Sequence, residues 1–130
     1  MIVLDASAAV DWLLQTGAGR RIETRLYAHS ESLHAPHLLD LEVSQVLKRL
    51  TTEGTLTARR ADEAIRDLLD LRLTRYPHSI LLTLIWQHRH NLSAYDAAYV
   101  TLAETLGATL ITRDARLAAA PGHSATIELF

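Results

Sequence analysis

The sequence has no cysteine, which excludes disulfides and thiolate metal sites and suits a reducing, cytoplasmic setting. No apolar run reaches the roughly 20 residues a bilayer-spanning helix needs, because Arg, Glu, Asp or His interrupts every candidate. The opening Met-Ile-Val-Leu-Asp places an acid at position 5 with no basic region ahead of it, so no signal peptide is expected. The five glycines form no phosphate-cradling loop, which leaves P-loop and dinucleotide-binding readings without support. Lysine is nearly absent, Lys48 being the only one. Phosphoryl-transfer domains and phosphorylated receivers of the α/β class generally need a late lysine to hold the phosphoryl group, so its lack argues against them. Excess charge is also missing: a net charge of −2 provides no global attraction to nucleic acid.

What is present fits one domain, residues 1–130, with 48% hydrophobic and 22% charged residues. Basic residues cluster locally at Arg20, Arg21 and Arg25, and again at Arg113 and Arg116; either cluster taken alone reads more readily as a solvated face than as a phosphate-binding patch. Short apolar runs at Ile2–Leu4, Ser32–Ala35, Leu71–Tyr76, Thr109–Ile111 and Ala125–Leu129 predict strands. Helical patterns fill the spaces between them: Ala6–Leu14, Arg20–His29 after a break at Gly17 and Gly19, His37–Leu50, Ala58–Leu71, Pro77 to about His90, Ser93–Leu106, and a short piece at Ala115–Ala119. Thr57 and Ser93 are good N-caps, and Gly54 and Gly107 end their helices. Leu39, Val43, Val46, Leu47 and Leu50 share one helical face, as do Ala61, Ala64, Ile65, Leu68 and Leu69. Strands alternating with helices imply an α/β fold with a central parallel sheet and helices on both faces. Ligands of such sheets bind at the carboxyl ends of the strands.

Four carboxylates stand where that rule points. Asp5 follows the first strand directly, and Asp114 comes three residues after Ile111. Each reads also as a helix N-cap or first-turn acid. Asp96 lies in the first turn of its helix, on the side of Val100 and Ala103, and so faces the sheet; its alternative role is the acid of a capping box with Ser93. Glu42 falls roughly 40° around the helix from Val46, at the rim of the core, with a solvated flank as its alternative. Asp40 competes with it, although a first-turn position suits a dipole role. Converging carboxylates raise one another's pKa and weaken the fold unless a cation neutralises them. An all-oxygen donor set selects Mg²⁺ or Mn²⁺. Such an ion activates water and stabilises charge on an attacked phosphate, which makes a phosphodiester the natural substrate.

The segments MIVLDASAAVDWLL, HLLDLEVSQVLKRL and LSAYDAAYVTLAETLGATLITRDARLA resemble, in order, the acidic motifs of PIN domains, and most closely those of the VapC toxins of bacterial toxin–antitoxin pairs. Each motif is short, but their order and spacing along essentially the whole chain are specific, most of all between Leu92 and Leu117. The resemblance implies a three-layer α/β/α PIN-like domain and a Mg²⁺- or Mn²⁺-dependent endoribonuclease. Its catalytic acids would be Asp5, Glu42, Asp96 and Asp114, with Asp5, Asp96 and Asp114 as metal ligands and Ser7 and Thr112 flanking them, although those two read equally well as a cap and a strand end. It also implies a cognate antitoxin as inhibitor, an RNA substrate, a homodimer and toxin–antitoxin hetero-oligomers. A catalytically degenerate PIN-like interaction module is the alternative, against which four intact acids speak.

Seven histidines raise the question of zinc. His88 and His90 stand about 200° apart around a helix and cannot share an ion on one face. His34 and His37 flank Pro36 with no partner pair, so surface or edge positions are expected. Trp12, Trp86 and the run Ile80–Ile85 read as core and subunit contact.

Overall fold

The computed structural model describes residues 1–130. In chain order it forms β1 (Ile2–Leu4), α1 (Ala6–Leu13), α2 (Gly17–Ala28), β2 (Leu33–Pro36), α3 (Leu38–Thr52), α4 (Ala58–Asp70) and β3 (Leu73–Tyr76). A 3₁₀ turn (His78–Ile80), α5 (Leu82–Gln87), α6 (Ala94–Leu106), β4 (Thr109–Thr112), α7 (Ala115–Ala118) and β5 (Thr126–Leu129) complete it. All five strands are parallel, in the order β3-β2-β1-β4-β5. The crossovers put α1 to α4 on one face of the sheet, where they pack on one another, and α6 across β1, β2 and β4 on the other. The expected α/β/α layering is therefore present.

The central strand β1 is buried along its whole length, as a continuous apolar run requires in a sheet covered on both faces. From β1 the chain moves outward to β2 and β3, then returns past it to β4 and β5. The change of direction lies between β1 and β4, whose register pairs Leu4 with Ile111. This switch point opens a crevice at the strands' carboxyl ends, and both Asp5 and Asp114 stand at it.

Four expectations need correction. Gly17 and Gly19 do not break the chain; they open α2, where Thr16 caps the helix by accepting the Gly19 amide at 3.0 Å. A Cβ on Gly19 would lie 1.8 Å from the Asp11 carbonyl oxygen, so glycine there lets α1 and α2 pack backbone to backbone. The helix expected from Pro77 to His90 is divided into the 3₁₀ turn and α5, because only Leu81 and Ile85, one helical turn apart, find the core. Ile80, Leu82, Leu84 and Trp86 stay exposed, so only Leu81 and Ile85 of that run are core. Leu69 is likewise exposed at 70%, one step around α4 from the buried Leu68. Trp12, by contrast, is in the core as expected. No helix is long and apolar enough to cross a membrane.

Candidate active site

Asp5 occupies the N-cap position of α1, yet its side chain makes no capping bond. Its Oδ2 instead accepts the hydroxyls of Ser7 and Thr112, each at 2.7 Å. The direction of these bonds is settled locally. The Arg113 amide donates to Ser7 Oγ and the Asp114 amide to Thr112 Oγ1, both at 3.0 Å, so each hydroxyl has its own hydrogen left for Asp5. Ser7 and Thr112 thus buttress the acid, the flanking place that the resemblance implied for them. Asp5 is 7% exposed, and its Oδ1 makes no hydrogen bond within the chain.

Asp114 does cap α7: Oδ1 accepts the amides of Arg116 at 2.9 Å and Leu117 at 3.3 Å. Its other oxygen is uncommitted, so the capping and functional readings are compatible. In α6, Ser93 caps the helix by accepting the Asp96 amide at 3.1 Å, and the Asp96 carboxylate is half-buried. Burial, then Asp5 and Asp114, raise the Asp96 pKa above the ordinary aspartate value, while Ser93 and Arg116 oppose that rise. Glu42 behaves alike on α3: burial raises its pKa, reinforced by Asp5 and Asp96 and opposed by a hydrogen bond from Tyr99. The four acids therefore share one electrostatic field at one end of the sheet, although they come from four separate segments of the chain.

No three His, Asp or Glu side chains are drawn into a ready-made ion cage. The carboxylates instead keep oxygens uncommitted: Oδ1 of Asp5, Oε2 of Glu42 and Oδ2 of Asp114 accept no hydrogen bond from the chain. These donors are all hard oxygens in a mutually repelling group, which is the chemistry that suits Mg²⁺ or Mn²⁺. Asp40 takes no part. Its Oδ2 pairs with Arg75 Nε at 2.8 Å, tying α3 to β3.

The basic clusters separate once placed. Arg25 is held by Glu31 at 2.9 Å and Glu128 at 2.8 Å, which raises its pKa chiefly through those two hydrogen bonds. It is structural. Arg113 pairs with Asp11 at 2.7 Å and bonds the Phe130 carbonyl. Arg116, 95% exposed and 3.8 Å from Asp114, remains available at the acidic rim.

One histidine is buried against expectation. His34 lies in β2 between Ser32 Oγ and the Tyr76 hydroxyl, each at 2.7 Å, because β2 and β3 pair in parallel beside it. Sequence reasoning also missed Tyr99, whose hydroxyl donates to Glu42 Oε1 at 2.6 Å. The available signal was its spacing, three residues beyond Asp96 and hence on the same side of α6. A cavity of about 940 Å³ lies between the end of α2 and the starts of β2 and β3, at the opposite end of the strands from Asp5 and Asp114; its lining includes Trp12, Tyr27 and Glu31.

Comparison with known proteins agrees with this architecture. The model of the PIN domain matches residues 2–122. Ribonuclease VapC9 of Mycobacterium tuberculosis is 45% identical over 117 residues, covering 90% of this chain and 88% of the relative. Ribonuclease VapC1 of the same species is 44% identical over 128 residues, covering 98% and 96%. Among solved structures, M. tuberculosis VapC20, described as a sarcin-ricin loop cleaving toxin, superposes with a TM-score of 0.68 at 17% identity, over 92% of this chain and 94% of that one. A chain of VapBC2 from Rickettsia felis, in a structure bound to a promoter DNA fragment, gives 0.63 at 15% identity over 99% and 98%. At those identities the solved structures speak for the fold alone. With the family model covering most of its length and close VapC relatives covering nearly all of it, this chain belongs to the PIN-domain family, among the VapC ribonucleases.

Proposed function

We propose that the chain is a Mg²⁺- or Mn²⁺-dependent endoribonuclease, the toxin of a toxin–antitoxin pair, and that one PIN domain spans it. The observation that carries the chemistry is the meeting of Asp5, Glu42, Asp96 and Asp114 in one field at the sheet's switch point. The mycobacterial relatives named ribonucleases support RNA as the substrate. Asp5, Asp96 and Asp114 would hold the cation, which when bound neutralises their repulsion, draws in the substrate phosphate and makes a water more acidic. Glu42 would then act as general base, with Oε1 held by the Tyr99 hydroxyl and Oε2 uncommitted to receive the proton. As the water oxygen bonds to phosphorus and a ribose oxygen departs, the water's proton passes to Glu42 and the departing oxygen takes one from solvent. Arg116 would meet a neighbouring phosphate.

The likeness to the VapC ribonucleases supports an antitoxin as partner and inhibitor; VapBC2 from R. felis and FitAcB from Neisseria gonorrhoeae share the fold. The exposed Ile80, Leu82, Leu84 and Trp86 support a homodimer, since a stretch of large apolar side chains in water favours association. The test is incubation of the purified protein with defined RNAs in Mg²⁺, Mn²⁺ or EDTA, followed by sequencing of the cut ends. Cleavage with either ion and none in EDTA is expected. Cutting that persists in EDTA, or survives both Asp5→Asn and Asp96→Asn, overturns the reading.

A further inference from the structure

Tyr99 is the side chain at the acidic end whose presence is hardest to explain by packing. Its ring is 1% exposed, deep in the core of α6, where phenylalanine would fill the same space without a polar atom. Burying a hydroxyl is costly unless it finds a partner. The partner it finds is a glutamate from the opposite layer: the O–H donates to Glu42 Oε1 at 2.6 Å, a short bond to a charged acceptor. Burial and this bond push the phenol's pKa far up, so the group stays a donor. Glu42 is a long side chain at the rim of α3, and fixing such a chain costs about 1.5–2 kcal/mol in rotamer freedom. A donor locked in the core supplies that restraint from a fixed point. It leaves Oε2 unengaged, just as the Ser7 and Thr112 hydroxyls hold one oxygen of Asp5 and leave the other. Tyr99 and Asp96 share one side of α6, so the bond also sets where Glu42 stands relative to Asp96.

We propose that Tyr99 is a positioning residue of the nuclease site, its buried hydroxyl holding the Glu42 carboxylate beside Asp5 and Asp96 with one oxygen turned outward for proton transfer. The proposal rests on the nuclease reading above. A purely structural pin between α3 and α6 would affect stability without any link to the chemistry of Glu42.

Tyr99→Phe separates the two, since it keeps the ring and removes only the hydroxyl. For the full chain with Mg²⁺ or Mn²⁺, kcat should fall roughly 10–100-fold, as for loss of other supporting partners of a metal site, with KM little changed. In a Glu42→Gln background the same substitution should cost nothing further, because the group it orients is already gone. In the metal-free protein the ¹³C carboxyl resonance of Glu42, assigned by its loss in Glu42→Gln, should shift in Tyr99→Phe. Equal losses in both backgrounds, or wild-type kcat in Tyr99→Phe, overturn the proposal. A wild-type chain that cuts no RNA overturns the nuclease reading and the catalytic half of this proposal together. The resonance then still decides the contact: unmoved, it shows that Tyr99 does not hold Glu42.

Discussion

The two ends of the sheet handle charge in opposite ways. Starting at the amino end, the Met1 ammonium pairs with Glu31 at 3.0 Å, Glu31 with Arg25, and Arg25 in turn with Glu128 on the edge strand. Positive and negative groups alternate, and the result is a staple joining β1, α2, the start of β2 and β5. At the carboxyl end, four carboxylates gather with Arg116 the one cation beside them, and hydroxyls and backbone amides restrain them. Neutral donors orient an acid without cancelling its charge. A paired cluster serves the fold; an unpaired one held in place is destabilising alone and is suited to receive a cation and a phosphate.

Substitutions at the two ends should therefore separate activity from stability. The largest effect is expected for Asp5→Asn or Asp96→Asn, which should lower RNA cleavage by roughly a hundredfold or more. Their thermal midpoints, measured without metal, should equal or exceed that of the wild type, because a like charge has been removed. A lowered midpoint would break the comparison. Next comes Arg116→Ala, for which RNA binding should weaken roughly tenfold and the salt dependence fall by about one contact, read by fluorescence anisotropy at several ionic strengths. Arg25→Ala should instead cost about 1 kcal/mol of unfolding free energy in a urea titration and leave kcat and KM as they were.

The smallest effect is the sharpest in sign. Burial works to raise the Glu104 pKa, but the Ser124 amide, with His88 and the Ser124 hydroxyl, holds it below the ordinary glutamate value. With a folded pKa below the unfolded one, its contribution is complete above the unfolded value and is lost as pH falls through the folded value. Glu42 and Asp96 are raised by burial and by neighbouring acids, so theirs is complete below the unfolded value and lost as pH rises through the folded one. In EDTA, Glu104→Gln should be less stable than wild type at neutral pH and converge with it in acid. Glu42→Gln should be more stable at neutral pH and also converge in acid. Urea midpoints across the pH range check both, and slopes of the same sign would contradict the contrast between paired and unpaired acids.

Sequence reasoning went far because much of this site is local. Asp5 directly after a three-residue apolar strand, and Asp96 three residues after its capping serine, follow from strand and helix periodicity. Glu42 was harder to place: its angle on α3 set it at the core's rim, and nothing local distinguished facing the acids from facing water. Gly19 shows the limit for the fold, since its glycine answers to the Asp11 carbonyl on a different helix. Arg25 shows it for charge: a basic cluster in sequence became a neutralised staple through Glu128, far along the chain.

The sequence by itself determined the alternation of strands and helices, the parallel sheet, and the positions of Asp5, Asp96 and Asp114 at element ends, because periodicity and capping act over a few residues. Only the tertiary structure decided which oxygens of those acids stay uncommitted. It alone showed that Asp40 belongs to Arg75, that Arg116 lies beside the acids while Arg25 serves the fold, and that Tyr99 reaches Glu42 across 57 positions of chain. Such pairings depend on the distance between side chains in the folded core, and separation along the chain carries no record of it.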